Sequence, residues 1–288
     1  MIVAVASGKG GTGKTTLAVS LALAAARAGV EPVTLLDLDA EAPNAALLLD
    51  PVLEERRTTG IPVPEVDAVR CDHCGECVRL CRAHALADIG TSVLVFPDLC
   101  IGCGVCTAWC PQRAIREVDH VLGTLEAGRA GPIAFAQAQL DPGRAQPAPL
   151  IRALKAWKMR ASPTGLTLLD APPGASCSVM EAARGADHVL LVAEPSVFGL
   201  HDLGKAVGAL RDAMGLDVSV VINQSVGRDD AILRFCEENA LAVRLVLPFE
   251  REIAAAYAEG RSLLEVRPAC EAPLVELLLQ LRTKEQLA

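Results

Sequence analysis

The sequence predicts an α/β protein with a mostly parallel sheet and a small cysteine-rich insertion. Apolar runs of strand length alternate with helix-length stretches, and the clearest runs are residues 2–6, 166–169 and 188–193. A glycine-rich loop joins the first of these runs directly to a helical stretch. Eight of the eleven cysteines lie between residues 71 and 110. A chain of 288 residues is long enough for one α/β domain and one small module.

The loop at residues 7–16 has the composition of a phosphate-binding loop. Gly8, Gly13, Lys14 and Thr15 satisfy the pattern G-x-x-x-x-G-K-S/T, in which backbone N–H groups surround phosphate oxygens. We expect the Lys14 ammonium to reach the β- and γ-phosphates and the Thr15 hydroxyl to bind Mg²⁺. A glycine-rich turn without a ligand explains the Lys-Thr pair less well. The predicted nucleotide contacts are Gly8, Gly10, Gly11, Thr12, Gly13, Lys14, Thr15 and Thr16.

Lys9 adds a second lysine to this loop. Residues 8–16, Gly-Lys-Gly-Gly-x-Gly-Lys-Thr-Thr, resemble the deviant Walker A motif of the MinD/ParA/Mrp and nitrogenase-iron-protein ATPases. The resemblance implies a P-loop sheet, Mg-ATP hydrolysis and a dimer that sandwiches ATP, either a homodimer or a heterodimer with a similar ATPase. In that family the first lysine touches the partner's nucleotide, so we expect Lys9 and Lys14 to be catalytic. A solvated loop lysine is the alternative for Lys9.

Residues 33–36 are predicted to form a short buried strand that ends in Asp37 and Asp39. Ligand chemistry in α/β sheets gathers at the carboxyl ends of strands. In the resembled family this segment is switch I, and its second aspartate positions the attacking water. The resemblance therefore implies a catalytic role for Asp39. A helix N-cap at Asp39 or Asn44 is the alternative, and it explains the pair of aspartates less well.

Residues 51–69 contain several prolines and are predicted to be a linker into an inserted domain, residues 70–118. The spacing Cys-x2-Cys-x2-Cys-x3-Cys occurs there twice, 29 positions apart. This repeat resembles the bacterial two-cluster ferredoxins, in which the fourth cysteine of each run binds the other cluster. The resemblance implies two 4Fe-4S clusters. The first would be bound by Cys71, Cys74, Cys77 and Cys110, and the second by Cys81, Cys100, Cys103 and Cys106.

A pair of structural zinc sites is the competing interpretation of these cysteines. Zinc ribbons use two knuckles of two cysteines for each metal, so the repeated x2-x2-x3 spacing fits zinc poorly. Gly75, Gly102 and Gly104 would give the loops the backbone freedom that wrapping a cluster requires. Arg82 departs from the ferredoxin pattern, which usually has proline after the fourth cysteine.

Residues 119–140 are predicted to form a hairpin that returns the chain to the ATPase. The ATPase domain then comprises residues 1–50 and 141–288. We also expect a helix near residues 150–159.

A buried strand at residues 166–169 leads to Asp170 and Gly174, which resemble the Walker B and switch II pattern of the same ATPases. The resemblance implies that Asp170, with Thr15, holds Mg²⁺ and that the Gly174 amide senses the γ-phosphate. Two further strands end at Asn223 and Pro248. By resemblance, Asn223 reads the adenine edge and Pro248 lines the base pocket.

Composition limits the possible partners and locations. A net charge of −8 and a pI near 5.2 argue against a nucleic-acid partner. No window of 18 apolar residues occurs, and the first residues already form a strand, which leaves no room for a signal peptide. We therefore expect a cytoplasmic protein without stable membrane insertion. The terminal stretch 273–287 is amphipathic but lacks a basic face, so we expect it to pack onto the sheet.

Two functions remain after these steps. The first is an ATPase that gates electron transfer from its iron–sulfur clusters to a partner. The second is an ATPase scaffold or carrier for cluster assembly, as in Mrp/Nbp35-type proteins. Relatives of this kind often accompany small metal-cluster-binding proteins, so the resemblance implies such a partner. The sequence leaves open whether a third cluster binds near Cys177 at a dimer axis.

Overall fold

The structure is a computed structural model, and it describes residues 1–159 and 165–285. Its strands, in chain order, are β1 (Ile2–Ser7), β2 (Val33–Asp37), β3 (Val52–Val66), β4 (Leu86–Asp88), β5 (Val93–Val95), β6 (Ile115–Ala130), β7 (Ile133–Leu140), β8 (Leu166–Pro173), β9 (His188–Ala193), β10 (Val218–Ser225) and β11 (Ala242–Pro248). Its α-helices are α1 (Lys14–Arg27), α2 (Ala45–Leu49), α3 (Glu76–Leu80), α4 (Val105–Ala108), α5 (Pro147–Lys158), α6 (Cys177–Ala183), α7 (Val197–Val207), α8 (Asp230–Glu238), α9 (Arg251–Ala258), α10 (Leu263–Val266) and α11 (Glu271–Glu285).

One large sheet organises the described residues, with the strand order β11-β10-β9-β1-β8-β2-β7-β6-β3. The strands from β11 to β7 are parallel, and β6 and β3 join them antiparallel at one edge. Every residue of β1 and β9 is buried, as expected for parallel strands that are covered on both faces. The prediction of a mostly parallel α/β sheet is therefore confirmed.

Helices cover both faces of this sheet. On one face, α5, α6, α7 and α8 bury apolar side chains against the strands. On the other face, α1, α10 and α11 form a second core. The stripe of leucines on α11 is buried in this second core, so the helix packs beside α1; its members are Leu274, Leu277, Leu278 and Leu281. No helix in the described ranges is long and apolar enough to cross a membrane.

The segment predicted to be a linker, residues 51–69, instead contains the long strand β3. It pairs with β6 along its whole length, from Val52 opposite Arg129 to Val66 opposite Ile115. The expectation of irregular structure is therefore wrong for residues 52–66, which contain prolines and still form a paired strand. β3 is an edge strand, and an edge strand tolerates proline because one row of its N–H groups has no strand to bond.

β6 and β3 form a ribbon that extends beyond the sheet. β7 pairs with β6 only between residues 123 and 130, so residues 115–122 of β6 continue past the carboxyl end of β7 with their partners in β3. β7 is parallel to β2, so the ribbon leaves the sheet at the edge where β1 and β2 end. The predicted return hairpin at 119–140 therefore includes a strand of the main sheet, β7. The predicted domain boundaries remain predictions.

Candidate nucleotide site and cysteine module

The glycine-rich loop between β1 and α1 is fastened by the end of β10. The Asn223 side-chain amide donates to the carbonyl of Thr12 at 2.7 Å, and that of Gln224 donates to the carbonyl of Gly11 at 3.2 Å. Gly13 has φ +90°, and a Cβ there would lie 2.2 Å from Nδ2 of Asn223. Only glycine fits this position, because both the backbone angle and the close amide exclude a side chain.

A cavity of about 450 Å³ opens beside this loop, at the carboxyl edge of the sheet. It has the location expected for a ligand site in an α/β fold. Gln224, Phe249 and Tyr257 line it and were not predicted from the sequence. Among the predicted residues, those on its wall are Gly10, Gly11, Gly13, Lys14, Thr15, Thr16, Asp39, Asn223 and Pro248.

Two predicted glycines do not line the cavity. Gly8 packs against the backbone of Asp202, where an added Cβ would lie 2.1 Å from the carbonyl oxygen. The Gly174 amide, which we expected to sense a γ-phosphate, donates to the carbonyl of Ser7 at 2.9 Å. That bond would have to open before the amide could meet a phosphate.

The two aspartates at the end of β2 have different surroundings. Asp37 is fully buried and accepts backbone N–H bonds from Asp39, Asn44 and Ala45 at 2.9–3.1 Å. Burial raises the pKa of Asp37 to about 6 despite these bonds. Asp37 thus fastens the loop and the start of α2. Asp39 lines the cavity, where burial raises its pKa and the Lys14 ammonium partly opposes this shift.

Asp170 lies beneath the loop and is completely buried. Neither of its carboxylate oxygens has a hydrogen-bond partner within the described parts of the chain. Burial and the neighbouring Asp37 charge raise the pKa of Asp170 well above its usual value. The Thr15 hydroxyl and the Lys14 ammonium lower it, but they offset only part of this rise. A buried carboxylate is normally compensated by hydrogen bonds, a cation or a metal ion. Asp170 and the Thr15 hydroxyl therefore fit a Mg²⁺ ion by oxygen chemistry.

Lys9 does not line the cavity of its own chain. Its ammonium forms an ion pair with the Glu194 carboxylate, and the same carboxylate accepts a bond from the Ser196 hydroxyl at 2.7 Å. Ser196 in turn caps α7 by accepting from the Gly199 amide at 2.9 Å. Glu194 was not predicted as the partner of Lys9, because the two residues are 185 positions apart in the sequence.

The eight clustered cysteines form two separate groups around two cavities. One narrow cavity is lined by Cys71, Cys74, Cys77 and Cys110, which we call the first quartet. A second cavity, of about 320 Å³, is lined by Cys81, Cys100, Cys103 and Cys106, the second quartet. Each quartet therefore combines three cysteines of one run with the last cysteine of the other.

The two halves of the cysteine module repeat each other in backbone conformation. Ala85 donates its N–H to Sγ of Cys81, and Ala114 donates to Sγ of Cys110, both at 3.3 Å. Residues with positive φ also recur 29 positions apart, in the pairs His73 and Gly102, Gly75 and Gly104, and His84 and Arg113. Each half therefore wraps its cavity by the same turns.

Gly102 is needed where the second quartet meets the ribbon. It has φ +68°, and a Cβ there would lie 3.2 Å from Cβ of Ile61 and 3.3 Å from Pro62. The loop between Cys100 and Cys103 can approach β3 this closely because glycine has no side chain.

Each quartet offers four thiol donors around one cavity. Within the described residues, no three His, Cys, Asp or Glu side chains converge closely enough to hold one metal ion. Each cysteine of a 4Fe-4S cluster binds a different iron, so four thiols need to surround a volume rather than a point. All eight cysteines are free thiols. Their donor chemistry and grouping therefore fit two clusters.

The sequence and the structure are similar to those of known nucleotide-binding proteins. Residues 3–264 match the model of the CobQ/CobB/MinD/ParA nucleotide-binding domain. Two uncharacterized proteins of Methanocaldococcus jannaschii are similar in sequence. MJ0579 is 25% identical over 268 residues, which cover 92% of each chain, and MJ0578 is 28% identical over 215 residues, which cover 73% of each chain.

Among solved structures, the septum site-determining protein MinD of Pyrococcus horikoshii, in complex with Mg-ADP, matches with a TM-score of 0.58. The match has 19% sequence identity and covers 96% of this chain and 93% of that one. At this identity the similarity concerns the fold. Because the family model spans most of the chain, the protein belongs to the CobQ/CobB/MinD/ParA nucleotide-binding family.

Proposed function

We propose that the protein is a Mg²⁺-dependent ATPase that closes as a dimer around ATP and couples its nucleotide state to iron–sulfur electron transfer. The observation that carries this proposal is the placement of the two cysteine quartets. They lie at the end of a ribbon that leaves the sheet at the same edge as the nucleotide cavity. The glycine-rich loop and the ribbon that carries the two quartets therefore belong to the same edge of one sheet.

Four side chains would carry the hydrolytic step. Lys14 lines the cavity as a cation for the β- and γ-phosphates. Thr15 and Asp170 would hold Mg²⁺, which neutralises phosphate charge when it is bound. Asp39, at the wall of the same cavity, would accept a hydrogen bond from the attacking water and aim it at the γ-phosphate. Burial raises the pKa of Asp39, and a general base works best when its pKa is near the working pH.

Lys9 supports the dimeric part of the proposal. It does not reach the nucleotide cavity of its own chain, although it belongs to the same loop. A lysine in this position has a catalytic use if it reaches the nucleotide of a second subunit across a two-fold axis. Its ion pair with Glu194 would then break as the subunits close.

The quartets supply the redox part of the proposal. Clusters bound there would accept and donate single electrons. Each quartet already offers four thiols, which favours permanent clusters over one that is delivered to another protein. Electron exchange with a small metal-cluster-binding partner is therefore favoured over the scaffold function.

We expect the protein purified without oxygen to contain about eight irons per chain, four in each cluster. Cys103→Ser should lose the cluster of the second quartet and keep most of the iron of the first. Iron and acid-labile sulfide analysis with visible absorbance measures this result. Cys270→Ser, the same change outside the cysteine module, is the matched control and should keep all the iron. Stoichiometric zinc without visible absorbance would refute the cluster assignment.

A further inference from the structure

The two quartets lie at different distances from the ATPase sheet along the ribbon. Pro62, Pro64 and Glu117 line the cavity of the second quartet, whereas Val66 and Ile115 line that of the first. Residues rise about 3.3 Å each along a strand, so the ribbon contacts of the second cavity are about 7–13 Å nearer the sheet. The second quartet is therefore the inner one.

The second quartet is also continuous with the main apolar core. Cys100 is buried in the same core as Ile61 and the apolar residues of α5, and Cys81 packs against it. Among the described residues, no cysteine of the first quartet is part of this core. A displacement of the ATPase core can therefore reach the second quartet directly.

A short stretch of chain joins the nucleotide cavity to the second quartet. We call residues 140–146 the return segment. At its start, the Leu140 amide donates to the carbonyl of Ala40 at 2.7 Å. Ala40 directly follows Asp39, which lines the nucleotide cavity. At its end, the Gln146 side-chain amide donates to the carbonyls of Asp98 and Cys100 at 2.8 and 3.0 Å.

The return segment is held between these two ends. The Asp141 amide donates to the carbonyl of Leu122, and the Arg144 amide closes a turn onto Asp141. The Arg144 guanidinium contacts the His120 ring at 2.9 Å and lies 3.6 Å from the Asp98 carboxylate. The segment is therefore bonded at both ends and along its length.

Movement of the Cys100 loop has a chemical consequence. The Gly102 amide donates to Sγ of Cys100 at 3.4 Å. Hydrogen bonds to the sulfur ligands and exposure to solvent tune the reduction potential of an iron–sulfur cluster. A displaced Cys100 loop would change that N–H···S bond.

We propose that the return segment transmits the nucleotide state from the loop after β2, which contains Asp39, to the loop that contains Cys100. Gln146 is the positioning residue, because its side chain holds the carbonyls of Asp98 and Cys100. Nucleotide exchange then alters the surroundings of the second quartet and leaves those of the first unchanged. Within the described residues, no hydrogen bond joins the first quartet to the return segment or to residues 37–44. This inference rests on the proposed function, because it requires clusters in both quartets.

The test compares the midpoint potentials of the two clusters in the anaerobic holoprotein with Mg-ADP and with a Mg-bound non-hydrolysable ATP analogue. In the unmodified protein we expect one potential to shift. Gln146→Glu keeps the length of the side chain but replaces the N–H donor by a carboxylate oxygen, so it should retain both clusters and lose most of the shift. Gln112→Glu, at an amide that bonds Asp72 beside the first quartet, is the matched control and should keep the shift.

Two cysteine variants show which cluster responds. Cys103→Ser, with the first cluster left, should show no shift, and Cys74→Ser, with the second left, should retain it. Hydrogen exchange of residues 98–106 gives a second readout. It should change between ADP and the ATP analogue in the unmodified protein and be independent of nucleotide in Gln146→Glu.

Each contradictory outcome has a separate meaning. If the unmodified protein binds no iron, both the proposed function and this inference fail. If both clusters are present but neither potential shifts, both shift equally, or Gln146→Glu shifts as the unmodified protein does, this inference is overturned and the cluster assignment stands.

Discussion

Replacing Lys14 with alanine is expected to lower Mg²⁺-dependent ATP turnover by about a hundredfold or more, because a preorganised charge on the transferring phosphoryl group is lost. Lys14 is buried and lies on the cavity wall, so water cannot supply the missing charge in the same geometry. Phosphate release from purified protein measures the effect. The visible absorbance of the clusters should be unchanged, since Lys14 is not part of the cysteine module.

Lys205→Ala provides the matched control for this experiment. Lys205 is an exposed lysine on α7, and its loss should leave turnover within about twofold of the unmodified protein. If Lys14→Ala hydrolyses ATP at a normal rate, the assignment of the loop at residues 7–16 is wrong.

Lys9→Ala should bind ATP nearly normally, yet hydrolyse it slowly and dimerise poorly with it. The reason is its position: the Lys9 ammonium is paired with Glu194 and does not line the cavity of its own chain. A cation supplied by the second subunit would act only in the closed dimer, as an arginine finger does, and such a charge contributes about 10³–10⁵-fold to turnover. Nucleotide binding, turnover and light scattering with ATP separate the three effects.

Mixing Lys9→Ala with Asp39→Ala decides between action in trans and action in cis. A mixed dimer has one site with both defects and one site with neither. If the subunits pair at random, half of the dimers are mixed, and about a quarter of all sites regain activity. If mixed dimers form and turnover stays as low as in the two parents, Lys9 acts within its own subunit. The sandwich dimer then loses its main support.

Local patterns were sufficient to predict the parts of the molecule that depend on short spacings. The glycine-rich loop borders its cavity because residues 8–13 join a buried strand directly to the first turn of a helix. The eight cysteines line two cavities in groups of four, and the spacing inside each run and the distance of 29 residues between runs account for this grouping. That these groups bind clusters stays a prediction.

Contacts between distant segments could not be predicted in this way. The partner of Lys9 is 185 residues away, and the bond from Gln146 to Cys100 spans 46 residues. Asp37 and Asp39 have the same side chain, and only the fold shows that Asp37 binds three amides while Asp39 lines the cavity. The strand β3 could not be predicted from local sequence, because proline disfavours central strands and the edge position of β3 is a property of the finished sheet.

Under the proposed function, the bound nucleotide and the redox state of the clusters influence each other within one chain. Coupling between two sites is reciprocal, so a nucleotide that alters a cluster must itself be bound differently when that cluster changes its redox state. The most direct measurement is the affinity of the anaerobic holoprotein for a non-hydrolysable ATP analogue, by calorimetry, with the clusters oxidised and then reduced. We predict two different affinities in protein that retains about eight irons. Equal affinities in both redox states, with all the iron retained, would contradict this coupling.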